Sequence, residues 1–438
     1  MAGIFKAYDI RGIYGDTLTD EIAYQIGRAF VSFLKCRRVV VGRDMRSHSD
    51  AVYAAIVRGI TEQGADVIDI GLSSTPMCYF ANGKLGADAS IIITASHNPG
   101  EWNGFKLCRA EAVPISGATG IQDIEALVNA NDFESVTNPG KVSFHDIGAE
   151  YAAHISKHAK LDGKLKIAID YANAMGIVEH RALAGLFDEV SLFGDLDGDF
   201  PNHEANPLNL ETLVDVQKAV VAEHCDFGIA YDGDADRVGF VDEKGDIVPM
   251  DFITALIAKT MLETKKGNVL YDLRSSNAVA ETISEGGGMP IKSRVGHAFI
   301  KQQMREYKAI FAGELSGHYY FEENYCAESA ALAVIFIANL VSQSKQKLSE
   351  LIAPIRRYAA SGEINSTVGD TAAVFARVRA QYADAGFEEL DGLTVTLEDW
   401  WFNVRSSNTE PLVRLNLEAA DQATMQAKTE EVLALIRA

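Results

Sequence analysis

Cysteine is scarce in this sequence, and no two cysteines have the spacing of a metal or redox motif. The five cysteines, an odd number, are scattered along 438 residues without a Cys-x-x-Cys pair. This distribution argues against a disulfide framework and favours reduced thiols. The N-terminus also lacks the layout of a secretory signal peptide. We therefore expect a cytoplasmic protein.

Basic residues and long hydrophobic runs are lacking as well. Lysines and arginines number 40 against 61 aspartates and glutamates, which gives a formal net charge of -21. This excess of negative charge argues against partners such as nucleic acid or an anionic membrane surface. The most apolar stretch, residues 330–338, is far shorter than the ~20 residues that span a bilayer. It predicts a buried helix instead.

Motifs of several common enzyme classes are absent. No Gly-x-Gly-x-x-Gly follows a predicted strand and no Walker A sequence occurs, which argues against dinucleotide and P-loop nucleotide binding. The Gly-x-Ser-x-Gly elbow of α/β-hydrolases is also missing. Residues 195–199 do not match the Asp-x-Asp-x-Thr motif of aspartyl-phosphate phosphatases, and we interpret them as an acidic loop.

Short apolar segments alternate with longer amphipathic ones, a pattern that is typical of α/β proteins. Strands are predicted at residues 39–41, 67–70, 91–93, 166–170, 227–231, 268–271 and 309–311, and helices at residues 20–34, 49–63 and 422–438. We expect three related α/β domains with mixed sheets and a distinct α+β C-terminal domain, packed around a central cleft. The expected boundaries are 1–146, 147–246, 247–358 and 359–438.

The most informative polar segment is Thr94-Ala95-Ser96-His97-Asn98-Pro99, which directly follows three isoleucines. A serine at the carboxyl end of a buried strand lies where open α/β sheets bind ligands. A serine hydroxyl needs activation to be a nucleophile, but a phosphorylated serine is itself a phosphoryl donor. Lys106 suits proton transfer or charge stabilisation beside such a serine. The alternative interpretation is a turn that caps a helix.

A second polar segment, Asp232-Gly233-Asp234-Ala235-Asp236-Arg237, follows the predicted strand at residues 227–231. Three carboxylates at alternate positions can converge on one hard cation, and the small residues between them keep the loop slim. The EF-hand pattern does not match, so calcium is not expected. Mg²⁺ fits best, because it favours few carboxylates together with phosphate oxygens. The alternative is a solvated acidic turn.

Two further segments are weak signals when each is taken alone. Gly313-Glu314-Leu315-Ser316-Gly317-His318 places a carboxylate and a hydroxyl on one tight loop, where they can bind vicinal sugar hydroxyls. Arg405-Ser406-Ser407-Asn408-Thr409-Glu410-Pro411 combines a guanidinium with hydroxyl and amide donors, a set that suits a phosphate dianion. A glycine turn and an exposed polar turn are the alternatives.

The four segments in this order resemble the α-D-phosphohexomutase family, to which bacterial phosphomannomutases and phosphoglucomutases belong. Three more segments fit the same family: Tyr8-Asp9-Ile10-Arg11-Gly12, Gly42-Arg43-Asp44 and Gly296-His297-Ala298-Phe299-Ile300-Lys301. The resemblance extends from Phe5 to the C-terminal helix. It implies four domains around a central cleft, each of which contributes one loop.

The resemblance also implies roles for individual residues. Ser96 would carry the phosphoryl group and would bind Mg²⁺ together with Asp232, Asp234 and Asp236. Lys106 and His297 would be the acid and base, and Arg11 and Arg237 would support the transferring phosphate. The residues that would bind the substrate are Tyr8, Arg274, Glu314, Ser316, His318, Arg405, Ser407, Asn408 and Thr409.

The family reaction would interconvert mannose 6-phosphate and mannose 1-phosphate through phospho-Ser96 and a 1,6-bisphosphosugar, which also serves as activator. If the site holds only O3 and O4 of the sugar, the 2-hydroxyl is not distinguished and glucose phosphates are substrates too. The alternatives are a phosphoglucomutase-dominant enzyme and a non-catalytic sugar-phosphate-binding module. Hexose phosphates are the expected partners of a monomer or weak homo-oligomer, with hinge motion near Ser361.

Overall fold

A computed structural model describes residues 3–406 and 412–438 of the chain. It contains four β-sheets that follow one another along the sequence, and helices connect their strands. The first three sheets mix parallel and antiparallel strands, whereas the fourth is antiparallel throughout. The predicted fold class, three α/β units followed by a different C-terminal unit, is confirmed.

The first sheet has six strands in the order β1-β5-β4-β2-β3-β6. Its strands are β1 (Ile10–Ile13), β2 (Arg38–Arg43), β3 (Asp66–Leu72), β4 (Ala89–Ile93), β5 (Trp102–Arg109) and β6 (Val142–Phe144). Its helices are α1 (Asp20–Leu34), α2 (Ser49–Glu62), α3 (Thr75–Lys84) and α4 (Ile121–Ala130). Strand β4 is buried at every position, which explains why four of its five residues are apolar.

The second sheet has the order β11-β10-β9-β7-β8 and the third the order β13-β12-β14-β15-β16. The second unit contains β7 (Leu165–Asp170), β8 (Phe187–Leu192), β9 (Phe227–Tyr231), β10 (Val238–Asp242), β11 (Ile247–Val248), α5 (Gly148–Ser156), α6 (Gly176–Glu179) and α7 (Val214–Ala222). The third contains β12 (Asn268–Asp272), β13 (Met289–Ser293), β14 (Ala309–Gly313), β15 (Tyr319–Phe321), β16 (Ala327–Glu328), α8 (Met250–Thr264), α9 (Asn277–Glu285), α10 (His297–Glu306), α11 (Ala330–Ser344) and α12 (Leu348–Ile352).

The fourth sheet has the order β17-β21-β20-β19-β18. Its unit contains β17 (Ala359–Thr367), β18 (Gly386–Glu388), β19 (Leu393–Thr396), β20 (Trp400–Ser406), β21 (Leu412–Ala419), α13 (Thr371–Gln381) and α14 (Gln422–Arg437). This unit has its own hydrophobic core, whereas one large core runs through the first three units.

Helix α11 shows why the apolar stretch near residue 330 is a buried core helix. The Ser329 hydroxyl caps it by accepting a hydrogen bond from the Leu332 amide. Nearly every side of the helix is apolar and buried within the shared core, as expected for a helix without a solvent-facing side. In the part of the chain that the structure describes, no helix has the length and hydrophobicity needed to cross a membrane.

The loops that carry the first three polar segments occupy equivalent places in their sheets. In each of the first three sheets the loop joins a parallel strand to its antiparallel neighbour: β4 to β5, β9 to β10, and β14 to β15. In the fourth sheet the segment joins the antiparallel strands β20 and β21. The loops therefore leave from the carboxyl ends of buried central strands, where ligands bind in open α/β sheets.

Two glycines allow helices α1 and α2 to pack at very short range. A Cβ atom on Gly59 would lie 2.1 Å from the Tyr24 carbonyl oxygen, and one on Gly27 would lie 2.4 Å from the Ile56 carbonyl oxygen. Both neighbours are backbone atoms, so neither can move away without displacing its helix. A larger residue at either position must separate the two helices.

We therefore expect Gly59→Ala to destabilise the protein by about 1–3 kcal/mol, because overpacking outweighs the better helix propensity of alanine. Urea unfolding followed by circular dichroism should show this loss of stability as a lower urea concentration at the midpoint of unfolding. Gly148→Ala is the control, since a Cβ there would meet only the movable Asp146 carboxylate at 3.1 Å. Equal midpoints for the two variants would contradict the packing argument.

Candidate active site

Ser96 is buried at the end of β4 and is aimed at the second unit. Its backbone has a φ of +54°, a left-handed conformation that is uncommon for a residue with a side chain. Its hydroxyl donates a hydrogen bond to Asp232 Oδ2 at 3.0 Å and lies 3.3 Å from His97 Nδ1. The predicted nucleophile and the predicted metal loop are therefore in direct contact.

Two arginines fix the backbone of the serine loop. Arg46, whose side chain is fully buried, donates hydrogen bonds to four carbonyl oxygens at distances of 2.6 to 3.0 Å, those of Ser96, Asn98 and Pro99 in the loop and of Trp102 at the start of β5. Arg11 donates to the Ala95 carbonyl at 3.0 Å and to Asn98 Oδ1 at 2.6 Å. Because the loop lies outside the β-ladders, these bonds satisfy carbonyl groups that a sheet would otherwise pair.

Asp232, Asp234 and Asp236 converge as the sequence predicts. All three are buried, and one carboxylate oxygen from each lies within 4.8 Å of the other two. Lys106 of β5 donates to Asp234 Oδ2 and Asp236 Oδ2, both at 2.5 Å. Arg237 donates its backbone amide to Asp232 Oδ1 at 3.1 Å, and its guanidinium lies 3.8 Å from Asp232 Oδ2.

The charges of this cluster shift the pKa values of its members. Burial, together with the charges of Asp234 and Asp236, raises the pKa of Asp232 well above its usual value. Burial also opposes ionisation of Asp236, but the charges of Lys106, His318 and Arg237 together outweigh it and hold that pKa well below the usual range. Burial opposes the charged form of Lys106 too, yet Asp234 and Asp236 raise its pKa. Lys106 is therefore a cation at neutral pH.

The three carboxylates fit a divalent cation with oxygen ligands. Within the described residues, Asp234 Oδ1 is buried and accepts no hydrogen bond, and Asp236 Oδ1 is buried with the His318 Nε2 atom 3.2 Å away. Buried carboxylate oxygens without a donor are costly, and a bound cation removes that cost. A hard ion such as Mg²⁺ matches the all-oxygen donor set.

The predicted sugar-binding loop, residues 313–318, contacts the predicted metal-binding loop, residues 232–237, through His318. His318 Nε2 lies 3.2 Å from Asp236 Oδ1, and its Nδ1 lies 3.2 Å from Glu314 Oε2 and 2.8 Å from Ser316 Oγ. Burial disfavours the charged imidazole, but the charge of Asp236 and the hydrogen bonds with Asp236 and Glu314 together outweigh this and raise the pKa of His318 to about 9. The Tyr320 hydroxyl donates to Glu314 Oε2 at 2.8 Å. The other carboxylate oxygen of Glu314, Oε1, lies 4.0 Å from the Arg274 guanidinium.

His297 and Tyr8 complete this side of the site. Their rings lie 5.5 Å apart between centroids, and the His297 ring lies 6.3 Å from that of His318. His297 Nδ1 is 3.6 Å from Glu328 Oε1. Burial, followed by the charges of Lys301 and Lys106, lowers the pKa of His297 well below its usual value. His297 is therefore uncharged at neutral pH.

The C-terminal unit reaches the same region through one acidic residue. Glu363 of β17 accepts from Arg405 at 2.6 Å and from Arg414 at 3.3 Å, and lies 3.5 Å from Arg274 of the third unit. Arg274 also forms a bidentate ion pair with Asp272. The predicted phosphate-binding residues Ser407, Asn408 and Thr409 lie outside the described residues.

Sequence reasoning missed three residues that hold the site together, namely Arg46, Thr75 and Glu363. Arg46 lies two residues after the Gly42-Arg43-Asp44 segment, at the carboxyl end of β2, so its position was the available signal. Thr75 donates to Asp234 Oδ2 at 2.5 Å from a different unit, and nothing in its local sequence indicates that contact. Glu363 is equally inconspicuous in sequence.

Comparison with known proteins matches all four units to one family. The four domain descriptions of phosphoglucomutase/phosphomannomutase match in order, with α/β/α domain I at residues 2–135, domain II at 149–245, domain III at 249–358 and the C-terminal domain at 363–435.

Relatives and solved structures agree over nearly the whole chain. The sequence is 42% identical over 442 residues to a phosphomannomutase of Methanocaldococcus jannaschii, covering 99% of this chain and 97% of the relative. It is 39% identical over 448 residues to a phosphomannomutase of Escherichia coli strain K12, covering 99% and 98%. A crystal structure of a phosphoglucomutase/phosphomannomutase family protein from Burkholderia thailandensis superposes with a TM-score of 0.90 at 32% identity, covering 98% of this chain and 96% of the other.

The order of the four matched domains follows the order of the four sheets. Sequence identities of 32% to 42% over nearly the whole chain indicate membership of one family and not only a shared fold. The chain belongs to the phosphoglucomutase/phosphomannomutase family, the α-D-phosphohexomutases, which are enzymes of the isomerase class.

Proposed function

We propose that the chain is a phosphomannomutase that interconverts mannose 6-phosphate and mannose 1-phosphate through a phosphorylated Ser96 and a 1,6-bisphosphosugar, and that it also accepts glucose phosphates. The observation that carries this proposal is the 3.0 Å contact between Ser96 Oγ and Asp232 Oδ2. It brings a phosphoryl carrier to the edge of a buried carboxylate cluster that fits a cation. The relatives named phosphomannomutase support the same substrate.

In the proposed reaction, the bond from phosphorus to Ser96 Oγ breaks as a bond from phosphorus to the free sugar hydroxyl forms. The hydroxyl loses its proton to a base, and His297, whose imidazole is uncharged, is the proposed acceptor. The 1,6-bisphosphosugar then turns over, and its other phosphoryl group returns to Ser96. Lys106 and Arg11 provide positive charge near the transferring group, because the buried Lys106 lies beside the metal loop and the partly buried Arg11 lies beside the serine loop.

Asp232, Asp234, Asp236 and the Ser96 phosphate are the proposed ligands of Mg²⁺, and Asp234 Oδ1 is a buried oxygen without a hydrogen-bond donor. When bound, Mg²⁺ neutralises the charge that develops on the phosphoryl oxygens. The 1,6-bisphosphosugar is the proposed activator, since it phosphorylates Ser96 when the enzyme has lost its phosphate.

Glu314, Ser316 and His318 are the proposed sugar-binding groups, with Tyr8 beside them. Arg274 and Arg405, with Ser407, Asn408 and Thr409, are the proposed clamp for the phosphate that does not react. The guanidiniums of Arg274 and Arg405 both lie against Glu363, so this counter-ion holds the two cations close together until a phosphate dianion competes for them.

We also propose that the four units, with boundaries at 146, 246 and 358, are domains and that the fourth rotates near Ser361. Strand β17 has an irregular register between Ala360 and Glu363, and Gly362 in it has a φ of +68°. The contacts from the third to the fourth unit are polar, for example Lys292 to Glu388 at 2.8 Å. Such contacts break at low cost, which suits microsecond to millisecond domain closure.

The assay that tests the substrate class compares turnover of mannose 1-phosphate and glucose 1-phosphate, with Mg²⁺ and a trace of 1,6-bisphosphate. We expect activity on both sugars, with the rate on mannose 1-phosphate equal or higher, because the proposed contacts do not read the 2-hydroxyl. Activity on glucose 1-phosphate alone would instead indicate a phosphoglucomutase. Absence of turnover on both would support a non-catalytic sugar-phosphate-binding protein.

Ser96→Ala is expected to lower turnover by more than about a thousandfold, because the phosphoryl carrier is lost. Affinity for the sugar phosphate, measured by calorimetry, should stay near that of the native protein. Ser284→Ala, which alters an exposed hydroxyl on α9, serves as the control. Turnover near the native rate in Ser96→Ala would remove the serine from the reaction.

Asp234→Asn is expected to weaken Mg²⁺ binding at least about tenfold, because one charged ligand becomes neutral. The measurement is the Mg²⁺ concentration that gives half-maximal turnover. Asp195→Asn, in the exposed acidic loop, should leave this concentration unchanged. If both variants respond to Mg²⁺ as the native protein does, Asp234 is not a metal ligand.

A further inference from the structure

Glu179 is a buried carboxylate that the proposed reaction does not use. It ends the short helix α6, and its exposed fraction is 0%. Within the described residues, no lysine, arginine or histidine nitrogen forms an ion pair with it. A buried carboxylate without a cation is costly, so hydrogen bonds must compensate for its lost hydration.

Three donors from three different units surround this carboxylate. Ser74 Oγ of the first unit donates to Oε2 at 2.5 Å, and the Tyr151 hydroxyl of the second unit donates to Oε1 at 2.6 Å. The backbone amide of Ala331, in the first turn of α11 in the third unit, lies 3.4 Å from Oε1. Glu179 therefore holds the first three units together at one point.

The carboxylate also lies at the N-terminal ends of two helices. Ser74 is the N-cap of α3, and Ala331 belongs to the first turn of the 15-residue helix α11. Helix N-termini favour negative charge because their amide groups point outward unpaired. Burial raises the pKa of Glu179 to about 7, and the hydrogen bonds from Ser74 and Tyr151 oppose that rise.

From Glu179 a short chain of contacts reaches the proposed metal site. Ser74 is followed by Thr75, whose hydroxyl donates to Asp234 Oδ2 at 2.5 Å and whose amide donates to the Asp234 carbonyl at 3.1 Å. A second connection starts from the residue before α6, because the Met175 amide donates to the Gly233 carbonyl at 3.2 Å. Both ends of α6 are thus linked to the loop that carries the three aspartates.

We propose that Glu179 is a positioning residue for the metal site, which holds Ser74 so that Thr75 fixes the orientation of the Asp234 carboxylate. This inference rests on the proposed function of the three aspartates as metal ligands. Glu179 touches neither the metal loop nor Ser96, and it acts through Ser74 and Thr75. Loss of its carboxylate charge loosens the Thr75 contact and leaves Asp234 free to turn away from the cation.

The test replaces Glu179 by an isosteric neutral residue and measures metal binding directly. For Glu179→Gln we expect Mn²⁺ affinity, determined by electron paramagnetic resonance, to fall about tenfold, the size typical of lost support behind a metal ligand. All preparations are matched for Ser96 phosphorylation by mass spectrometry. The KM for the sugar phosphate should stay unchanged, and turnover should recover at high Mg²⁺.

Ser74→Ala should produce the same loss of Mn²⁺ affinity, and the double variant should bind no more weakly than either single variant. Such non-additivity is expected of residues that act through one another. Glu418→Gln is the matched control: Glu418 is also buried between units, where it accepts from the Asn277 amide and from Trp401 Nε1, both at 2.9 Å. Its replacement should leave Mn²⁺ affinity at the native value.

Native Mn²⁺ affinity in Glu179→Gln would overturn the proposal, as would full additivity of the two substitutions. If Glu179→Gln does not fold, Ser74→Ala provides the test. Native Mn²⁺ affinity in Ser74→Ala would show that Ser74 does not support the metal site, and the proposal would then be wrong. Absence of Mn²⁺ binding in the native protein would overturn the metal site itself and with it the role of Glu179. That result is distinct from a site that binds Mn²⁺ normally without this carboxylate.

Discussion

The negative charge of three buried carboxylates is the constraint on which the rest of the structure depends. Asp232, Asp234 and Asp236 lie within 4.8 Å of one another, and burial strengthens their repulsion. Lys106 supplies part of the compensating charge, although it belongs to a different unit. It reaches the cluster because β5 runs antiparallel to the strand that leads to Ser96. Charge compensation and nucleophile placement are thus one arrangement.

The repeated position of the loops makes this arrangement possible, but it requires close backbone contact between units. A Cβ on Gly233 would lie 2.1 Å from the Ser96 carbonyl oxygen, so this position in the metal loop needs glycine. That same carbonyl accepts from Arg46, which bonds to three more carbonyls in the serine loop and at the start of β5. These bonds hold the Ser96 hydroxyl beside Asp232. The proposed phosphoryl transfer needs its carrier in such a fixed position.

The hydrophobic cores distinguish the first three units from the fourth. The first three units share one large core, and Glu179 adds a polar junction among them. The fourth unit has a core of its own and meets the third through contacts such as the Val295 amide with Asp391. The proposed phosphoryl carrier and the proposed metal loop therefore lie within the units that share one core, whereas Arg405 lies on the unit with a separate core.

The sequence by itself determined the elements and the composition of the loops, because both are local properties. Helix α1 and strand β9 have the predicted bounds, and apolar runs with polar ends identified Ser96 and the three aspartates. Only the tertiary structure decided which groups meet. Lys106 and Asp234 are separated by 128 positions, and Ser74 and Glu179 by 105. Neither periodicity nor local propensity contains information about such contacts, since they arise from the packing of one unit against another.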